Sequence, residues 1–232
     1  MAQFFPHSAN AYARTSIVFL LVALGGLGLA ADRLQRSPYV TREGIRPEQP
    51  VPFSHQHHVA GVGLDCRYCH TSVETSGFAG IPPTRTCLNC HSQIWTNAEL
   101  LEPVRASFRE NKSLQWTRVH DLPDFVYFSH EIHVNKGVGC KSCHGAVDDM
   151  PLMYQETSLQ MEWCLSCHRD TGNNLRPREQ VFNMRYEPPT TGRPVVFEGK
   201  SFLTQQSLGE ALQKSYHIRT KFELTSCETC HR

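Results

Sequence analysis

The 232-residue chain lacks a strong charge of either sign, because 23 Lys and Arg residues nearly balance 22 Asp and Glu residues and leave a formal net charge of +1. It has no run of basic or acidic residues, so an extended electrostatic surface for nucleic acid is not expected. It also lacks a P-loop, the GxGxxG fingerprint of dinucleotide-binding folds and any low-complexity tract. These absences exclude the common nucleotide-dependent classes and make nucleic acid an unexpected partner.

Apolar residues are scarce as well, since the hydrophobic fraction of 40% is low for a domain with a large apolar core. The one long apolar run is residues 15–31, which carries no charge between Arg14 and Asp32. As a helix it would span roughly 25 Å, a little less than the core of a bilayer. A cleavable signal peptide has an apolar region of similar length. We favour a retained transmembrane anchor over residues 15–34.

All ten cysteines belong to one motif, Cys-x-x-Cys-His, which occurs five times. Two cysteines at this spacing form thioether bonds to the two vinyl groups of one porphyrin, and the following histidine binds the iron. Chance would place roughly 0.02 such motifs in a chain of this composition. Zinc sites pair two cysteine knuckles and do not require a histidine directly after each one. Disulfides are not expected, because the five motifs use every cysteine and leave none to pair.

The motif therefore predicts five haem c groups, each with two thioether cysteines and a proximal histidine. The sites are Cys66, Cys69 and His70; Cys87, Cys90 and His91; Cys140, Cys143 and His144; Cys164, Cys167 and His168; and Cys227, Cys230 and His231.

Each haem iron needs a second axial ligand or keeps an open face, and the remaining histidines decide between these states. They are His7, His55, His57, His58, His120, His130, His133 and His217. Histidines three positions apart lie on one face of a helical turn, so each such pair can serve two neighbouring haems. We expect the distal ligands to be His55, His58, His120, His130 and His133. His217, His57 and Met161 remain alternatives, and His7 precedes the anchor.

Five haems in about 200 residues would replace a conventional apolar interior. The fold class we expect is a multihaem cytochrome c, with mostly loops and short α-helices around closely packed haems and little or no sheet. Helices are predicted in residues 98–111, with a break near Pro103, and in residues 205–216.

An internal duplication organises the chain, because a Phe-Ser-His-x-x-His-Val segment precedes an attachment motif twice. The predicted segments are an N-terminal segment 1–14, the anchor 15–34, a proline-containing linker 35–52 and a pentahaem domain 53–232. That domain contains repeat modules 53–91 and 128–168 and a C-terminal arm with the fifth haem, 185–232.

Three stretches carry a resemblance to a known family: FSHxxHV ahead of Cys-x-x-Cys-His, WTRVHDLPDFVYFSHEIHV and LQMEWCLSCHRD. They resemble the pentahaem cytochrome c subunit of bacterial alternative complex III, and the FSHxxH units are similar to class III cytochromes of the c7 and c3 kind. The resemblance implies an electron-transfer subunit with no catalytic residues of its own, within a complex that oxidises quinol and reduces a periplasmic acceptor.

The same resemblance implies the partners and the location of the chain. The partners would be an iron–sulfur subunit, a monohaem cytochrome c and quinol-binding membrane subunits. The chain would cross the bacterial cytoplasmic membrane once, with its haem domain on the periplasmic side. Arginines after the apolar run favour the opposite orientation by the positive-inside rule. We nevertheless expect the periplasmic orientation, because the resemblance implies it.

Two other functions remain open at this stage. A stand-alone quinol dehydrogenase of the tetrahaem type also has one anchor and closely packed haems, but it has a different number of sites. A multihaem reductase would need one open haem. The Cys-x-x-Cys-Lys site of ammonia-forming nitrite reductases does not occur here, and five distal candidates for five irons favour an electron relay.

Overall fold

A computed structural model describes residues 4–6 and 8–231 of the chain. The chain forms two compact units, Met1–Glu43 and Gly44–Arg232. His7, one of the histidines outside the five motifs, lies outside the described residues.

The first unit is dominated by one long helix, Ala9–Gln35, of 27 residues. Its mean hydropathy reaches 1.9, and none of its residues is buried within the protein. By length and composition this helix can cross a membrane, a test that a signal sequence also passes. It includes the whole run that predicted an anchor and begins six residues earlier. A short helix, Pro38–Thr41, follows, with Pro38 in its first turn.

The second unit consists of short helices joined by irregular segments. Its α-helices are Cys66–Cys69, Thr84–His91, Glu102–Glu110, His130–Asn135, Lys141–His144, Met161–Arg169, Gln205–Ser215, Lys221–Leu224 and Cys227–Cys230. A π-helix covers Gln56–Gly61, and 3-10 turns cover Glu99–Leu101, Val147–Asp149, Thr171–Asn174 and Arg178–Gln180.

A single hairpin is the sheet structure of the described chain. Its strands, Val195–Phe197 and Lys200–Phe202, pair antiparallel with Val195 opposite Phe202. Glu198 and Gly199 at the turn both have positive φ, as a two-residue hairpin turn with the right twist requires. The expected fold class, helical turns and loops with almost no sheet, is confirmed.

The helices predicted from the sequence are present, with one difference. The helix Gln205–Ser215 begins where the pattern predicts, and the Thr204 side chain accepts a hydrogen bond from the Ser207 amide at its N-terminus. Pro103 starts a helix instead of breaking one, because it lies in the first turn of Glu102–Glu110. A missing N–H costs nothing there, since the first helical amides have no intrahelical acceptor.

Buried apolar side chains form three small clusters, each of three or four residues. They are Leu175, Leu208, Leu212 and Tyr216; Val51, Leu101 and Val104; and Val73, Val134 and Val181. Many aromatic side chains in the second unit are exposed instead, among them Phe78, Trp95 and Phe125. Such dispersed clusters fit a polypeptide that wraps a large apolar group.

Candidate cofactor-binding site

Each attachment motif forms one helical turn. In three of them the histidine amide donates a hydrogen bond of 2.9 Å to the carbonyl of the first cysteine, at His70, His144 and His231. This turn holds the two cysteines and the histidine of each motif in one short segment of backbone. All ten cysteines are free thiols, so none is used in a disulfide.

The two modules repeat the same aromatic geometry around their histidine pairs. The Phe53 ring meets His55 edge-on at 4.9 Å and stacks on His58 at 4.3 Å. The Phe128 ring meets His130 edge-on at 4.8 Å and stacks on His133 at 4.5 Å. The phenylalanine that begins each repeat therefore orients both histidines. The sequence reasoning gave these two rings no role, although their position in the repeat was the available signal.

Three pairs of histidines are held at a separation that suits one metal ion. The ring centroids are 6.2 Å apart in each, and the pairs are His58 with His91, His130 with His144, and His133 with His168. Two imidazoles that bind one metal from opposite sides, at about 2.0 Å each, have centroids about 6.3 Å apart. Each pair joins a distal candidate to a proximal histidine, as expected for a haem with two histidine ligands.

The position of a histidine within FSHxxH determines which attachment motif of its module it faces. In both modules the second histidine of FSHxxH reaches the later attachment motif, since His58 meets His91 and His133 meets His168. The first histidine of the second module, His130, meets the motif that directly follows it at His144.

His55 is the counterpart of His130 in the first module. Its pKa is lowered to about 4, first by burial and then by the charge of nearby His70. His55 is therefore near enough to His70 for the charge of one ring to act on the other. Its Nδ1 atom is buried and has no hydrogen-bond partner within the described residues.

Hydrogen bonds from Nδ1 to backbone carbonyls hold seven of the ligand candidates in one tautomer. In each, Nδ1 lies within hydrogen-bond distance of a backbone carbonyl, which assigns the proton to Nδ1 and leaves the lone pair on Nε2 for a metal. The pairs are His58 with Ser54, His70 with Gly80, His91 with Ile94, His130 with Gly77, His133 with Ser129, His168 with Leu224 and His231 with Phe125.

Burial favours the neutral, metal-binding form of three ligand candidates, His130, His133 and His144. It lowers the pKa of His133 and of His130, and it lowers that of His144 to about 3, with the charges of neighbouring histidines contributing further. A metal-binding imidazole must be unprotonated at the binding nitrogen. The residues present therefore fit haem ligation.

His120 has a different environment from the other distal candidates. Its Nε2 lies 3.3 Å from Nδ1 of His144, with ring centroids 4.4 Å apart. The ring next to His231 is that of Phe125, at 5.8 Å. The structure thus pairs three of the five distal candidates with proximal histidines. It brings His55 near His70, and it brings His120 to His144 from the Nδ1 side.

Within the described part of the chain, none of the three alternative ligands forms such a pair with a proximal histidine. His57 stacks on Trp95 at 5.7 Å, and His217 is exposed in a left-handed backbone conformation. Met161 is 64% exposed at the start of its helix.

Charge effects between thiols of different motifs indicate that the five sites follow one another in a series. Burial raises the pKa of four of these thiols, and the charge of a cysteine from another motif raises it further. The neighbouring thiols are Cys87 and Cys69, Cys66 and Cys140, Cys143 and Cys167, and Cys164 and Cys230. Numbered along the chain, the sites follow the order two, one, three, four, five.

A zinc centre would need several side chains to converge on one point. Among the described residues, no group of three or more His, Cys, Asp or Glu side chains does so. Two thiols that can attach to the porphyrin, together with opposed imidazoles that can bind its iron, fit a covalently attached haem.

Comparison with known proteins agrees with haem attachment at these motifs. Residues 126–194 match the family model described as cytochrome c7 and related cytochrome c. The chain is also 34% identical over 186 residues to the menaquinone reductase, multiheme cytochrome c subunit, of Nitratidesulfovibrio vulgaris strain Hildenborough. That alignment covers 80% of this chain and 77% of the relative.

The fold, the attachment motifs and these matches define a multihaem c-type cytochrome. The chain belongs to the family of multihaem cytochromes c that contains the menaquinone reductase subunit. Proteins of this class serve electron transport, and haem c, when bound, supplies an iron centre that accepts and releases one electron at a time.

Proposed function

We propose that this chain is a membrane-anchored pentahaem cytochrome c that relays electrons within a quinol-oxidising complex of the alternative complex III type. All five Cys-x-x-Cys-His motifs carry haem in this proposal. His70, His91, His144, His168 and His231 are the proximal ligands, and His55, His58, His130 and His133 are distal ligands. The chain has no catalytic role by itself.

The observation that carries this proposal is the geometry of the three histidine pairs, whose ring centroids are 6.2 Å apart in each. The inferred series of attachment sites supports it. Relay between redox centres requires short gaps, and thiols of successive sites are close enough to influence each other's pKa. A series with two ends, at the sites of His91 and His231, suits a subunit that accepts electrons from one partner and gives them to another.

The partners in this proposal are an iron–sulfur subunit, a monohaem cytochrome c and membrane subunits that bind quinol. The helix Ala9–Gln35 supports attachment to a membrane. The bacterial cytoplasmic membrane, with the haem domain on its periplasmic side, is what the family resemblance implies. Electrons would leave towards a periplasmic acceptor.

A second candidate is a cytochrome subunit of a complex that reduces menaquinone. The relative of 34% identity favours it, because its name states that reaction. The two candidates use the same sites in opposite directions, so the direction of electron flow distinguishes them.

The test is purification of the native particle in mild detergent, followed by identification of its subunits and assays in both directions. Co-purification of an iron–sulfur subunit and membrane subunits, with quinol oxidation, supports the first proposal. Menaquinone reduction without quinol oxidation supports the second. If the isolated chain oxidises quinol without partners, it is a stand-alone quinol dehydrogenase and the subunit proposal is wrong.

A further inference from the structure

The Nδ1 atom of His144 has a partner unlike that of any other proximal histidine. At His70, His91, His168 and His231 the partner is a backbone carbonyl. At His144 the position of that carbonyl is taken by the imidazole of His120, whose Nε2 lies 3.3 Å away. At this site a side chain is therefore the hydrogen-bond partner of the proximal histidine, whereas at the other four sites the partner is a backbone carbonyl.

The hydrogen bond limits what His120 can do elsewhere. A proximal histidine that binds iron through Nε2 carries its proton on Nδ1 and donates it. His120 must then accept through the Nε2 lone pair, and a ring nitrogen with its lone pair in a hydrogen bond has none left for a metal.

Ring geometry also excludes His120 as the opposite ligand at this site. Its centroid is only 4.4 Å from that of His144, and the planes meet at 76°. The opposite position belongs to His130, which faces His144 at 6.2 Å with planes only 8° apart. Both axial positions at this site are thereby assigned without His120.

We propose that His120 is a positioning residue that accepts a hydrogen bond from Nδ1 of proximal His144, and that it is not an axial ligand. This role replaces that of a distal iron ligand, which the sequence predicts for His120. Accepting this bond fixes the ring orientation of His144 and increases its basicity, which stabilises the oxidised iron. The inference rests on the proposed haem ligation by His144.

The experiment compares two substitutions of His120 in the intact holoprotein. His120→Gln keeps a hydrogen-bond acceptor in the amide oxygen, whereas His120→Ala removes it. The number of haems is counted from the mass of the denatured protein. The spin state and midpoint potential of each haem are followed by an EPR-monitored redox titration. His133→Ala, a ligand by the geometry above, is the positive control, and exposed His217→Ala is the negative control.

Both His120 variants are expected to keep all low-spin haems. In His120→Ala one midpoint potential should rise, and in His120→Gln it should stay closer to the wild-type value. Conversion of one haem to high spin in both variants, as in His133→Ala, would show that His120 is an axial ligand and overturn the inference. Unchanged potentials in both variants would overturn it too. A wild-type mass lacking the haem at Cys140 and Cys143 would instead contradict the proposed ligation.

Discussion

The two modules, residues 53–91 and 128–168, have the same motif order and differ in how the ligand rings are arranged. In the second module the paired histidine planes are 8° and 26° apart, whereas those of His58 and His91 in the first are 71° apart. Burial raises the pKa of Cys140 and Cys143 in the second module to about 12. The same repeat thus gives a tighter environment in its second copy.

The reason lies in the segment that follows the second module. Leu208 and Leu212 of the helix Gln205–Ser215 are fully buried and pack with Leu175. Leu175 in turn forms a β-bridge with Val138, between the histidine pair and the attachment motif of the second module. A repeat therefore specifies local ligand geometry, while the surrounding chain determines its burial.

Removing an attachment motif should give the largest difference between the two modules in haem content and proteolysis. In Cys140→Ser with Cys143→Ser, the lost site is flanked by two others, so we expect loss of one haem mass together with rapid proteolysis. In Cys87→Ser with Cys90→Ser, the lost site ends the series, so one haem mass should be lost while the remainder stays resistant. Mass spectrometry and limited proteolysis measure both effects. Equal proteolysis of the two variants would contradict the order of sites.

Removing a distal histidine should have the next largest effect. His133→Ala should convert one haem fully to high spin, because Ile132 beside it cannot bind iron. His58→Ala should convert its haem only in part, since the ring of His57 lies 5.2 Å from that of His58 and can replace it. EPR spectra check this, and His57→Ile combined with His58→Ala should restore complete conversion. An identical spectrum for the two single variants would argue against replacement by His57.

These contrasts show how far the sequence could predict the site. The motif predicts each attachment cysteine and proximal histidine, because thioether chemistry requires that spacing. The repeat predicts four distal candidates, and the structure pairs three of them with the proximal candidates. His120 differs because its role depends on which atom of His144 it faces, and that is decided by packing between segments distant in sequence.

The fold shows the same division between local and long-range information. The helix Gln205–Ser215 follows from its periodicity and its Thr204 cap. Pro103 was expected to break a helix and instead begins one, because the same residue suits a first turn and disrupts an interior. The series of attachment sites is invisible in the sequence, since it joins thiols such as Cys66 and Cys140 that are far apart along the chain.

Close packing of the C-terminal arm should be sensitive to one added methyl group. A Cβ at Gly209 would clash with the backbone of Gly172, which cannot move aside as a side chain can. We expect Gly209→Ala to cost about 1–3 kcal/mol of unfolding free energy, more than the helix propensity that alanine gains. Gly172→Ala is the matched control, because its Cβ would meet nothing nearer than 3.5 Å. Denaturant titration measures both, and equal stabilities would refute the close approach.

The smallest expected effect follows from removing a helix cap, which should change the haem potential in the second module and not in the first. Thr220 caps the helix Lys221–Leu224, and the Leu224 carbonyl accepts a hydrogen bond of 2.9 Å from Nδ1 of His168. Thr220→Ala should lower the unfolding free energy by about 1 kcal/mol. It should also raise slightly the potential of the haem bound by His168, because the carbonyl becomes less well ordered. The first module should not respond, since His91 uses the Ile94 carbonyl from its own loop.

Thr204→Ala is the matched control for this cap, because it removes the same kind of hydrogen bond from a helix that holds no histidine. A redox titration should show a shifted potential in Thr220→Ala and none in Thr204→Ala, at similar losses of stability. If both variants shift the potential equally, general loosening of the arm is responsible. The tighter second module would then depend on apolar packing alone, without any contribution from the carbonyl that orients His168.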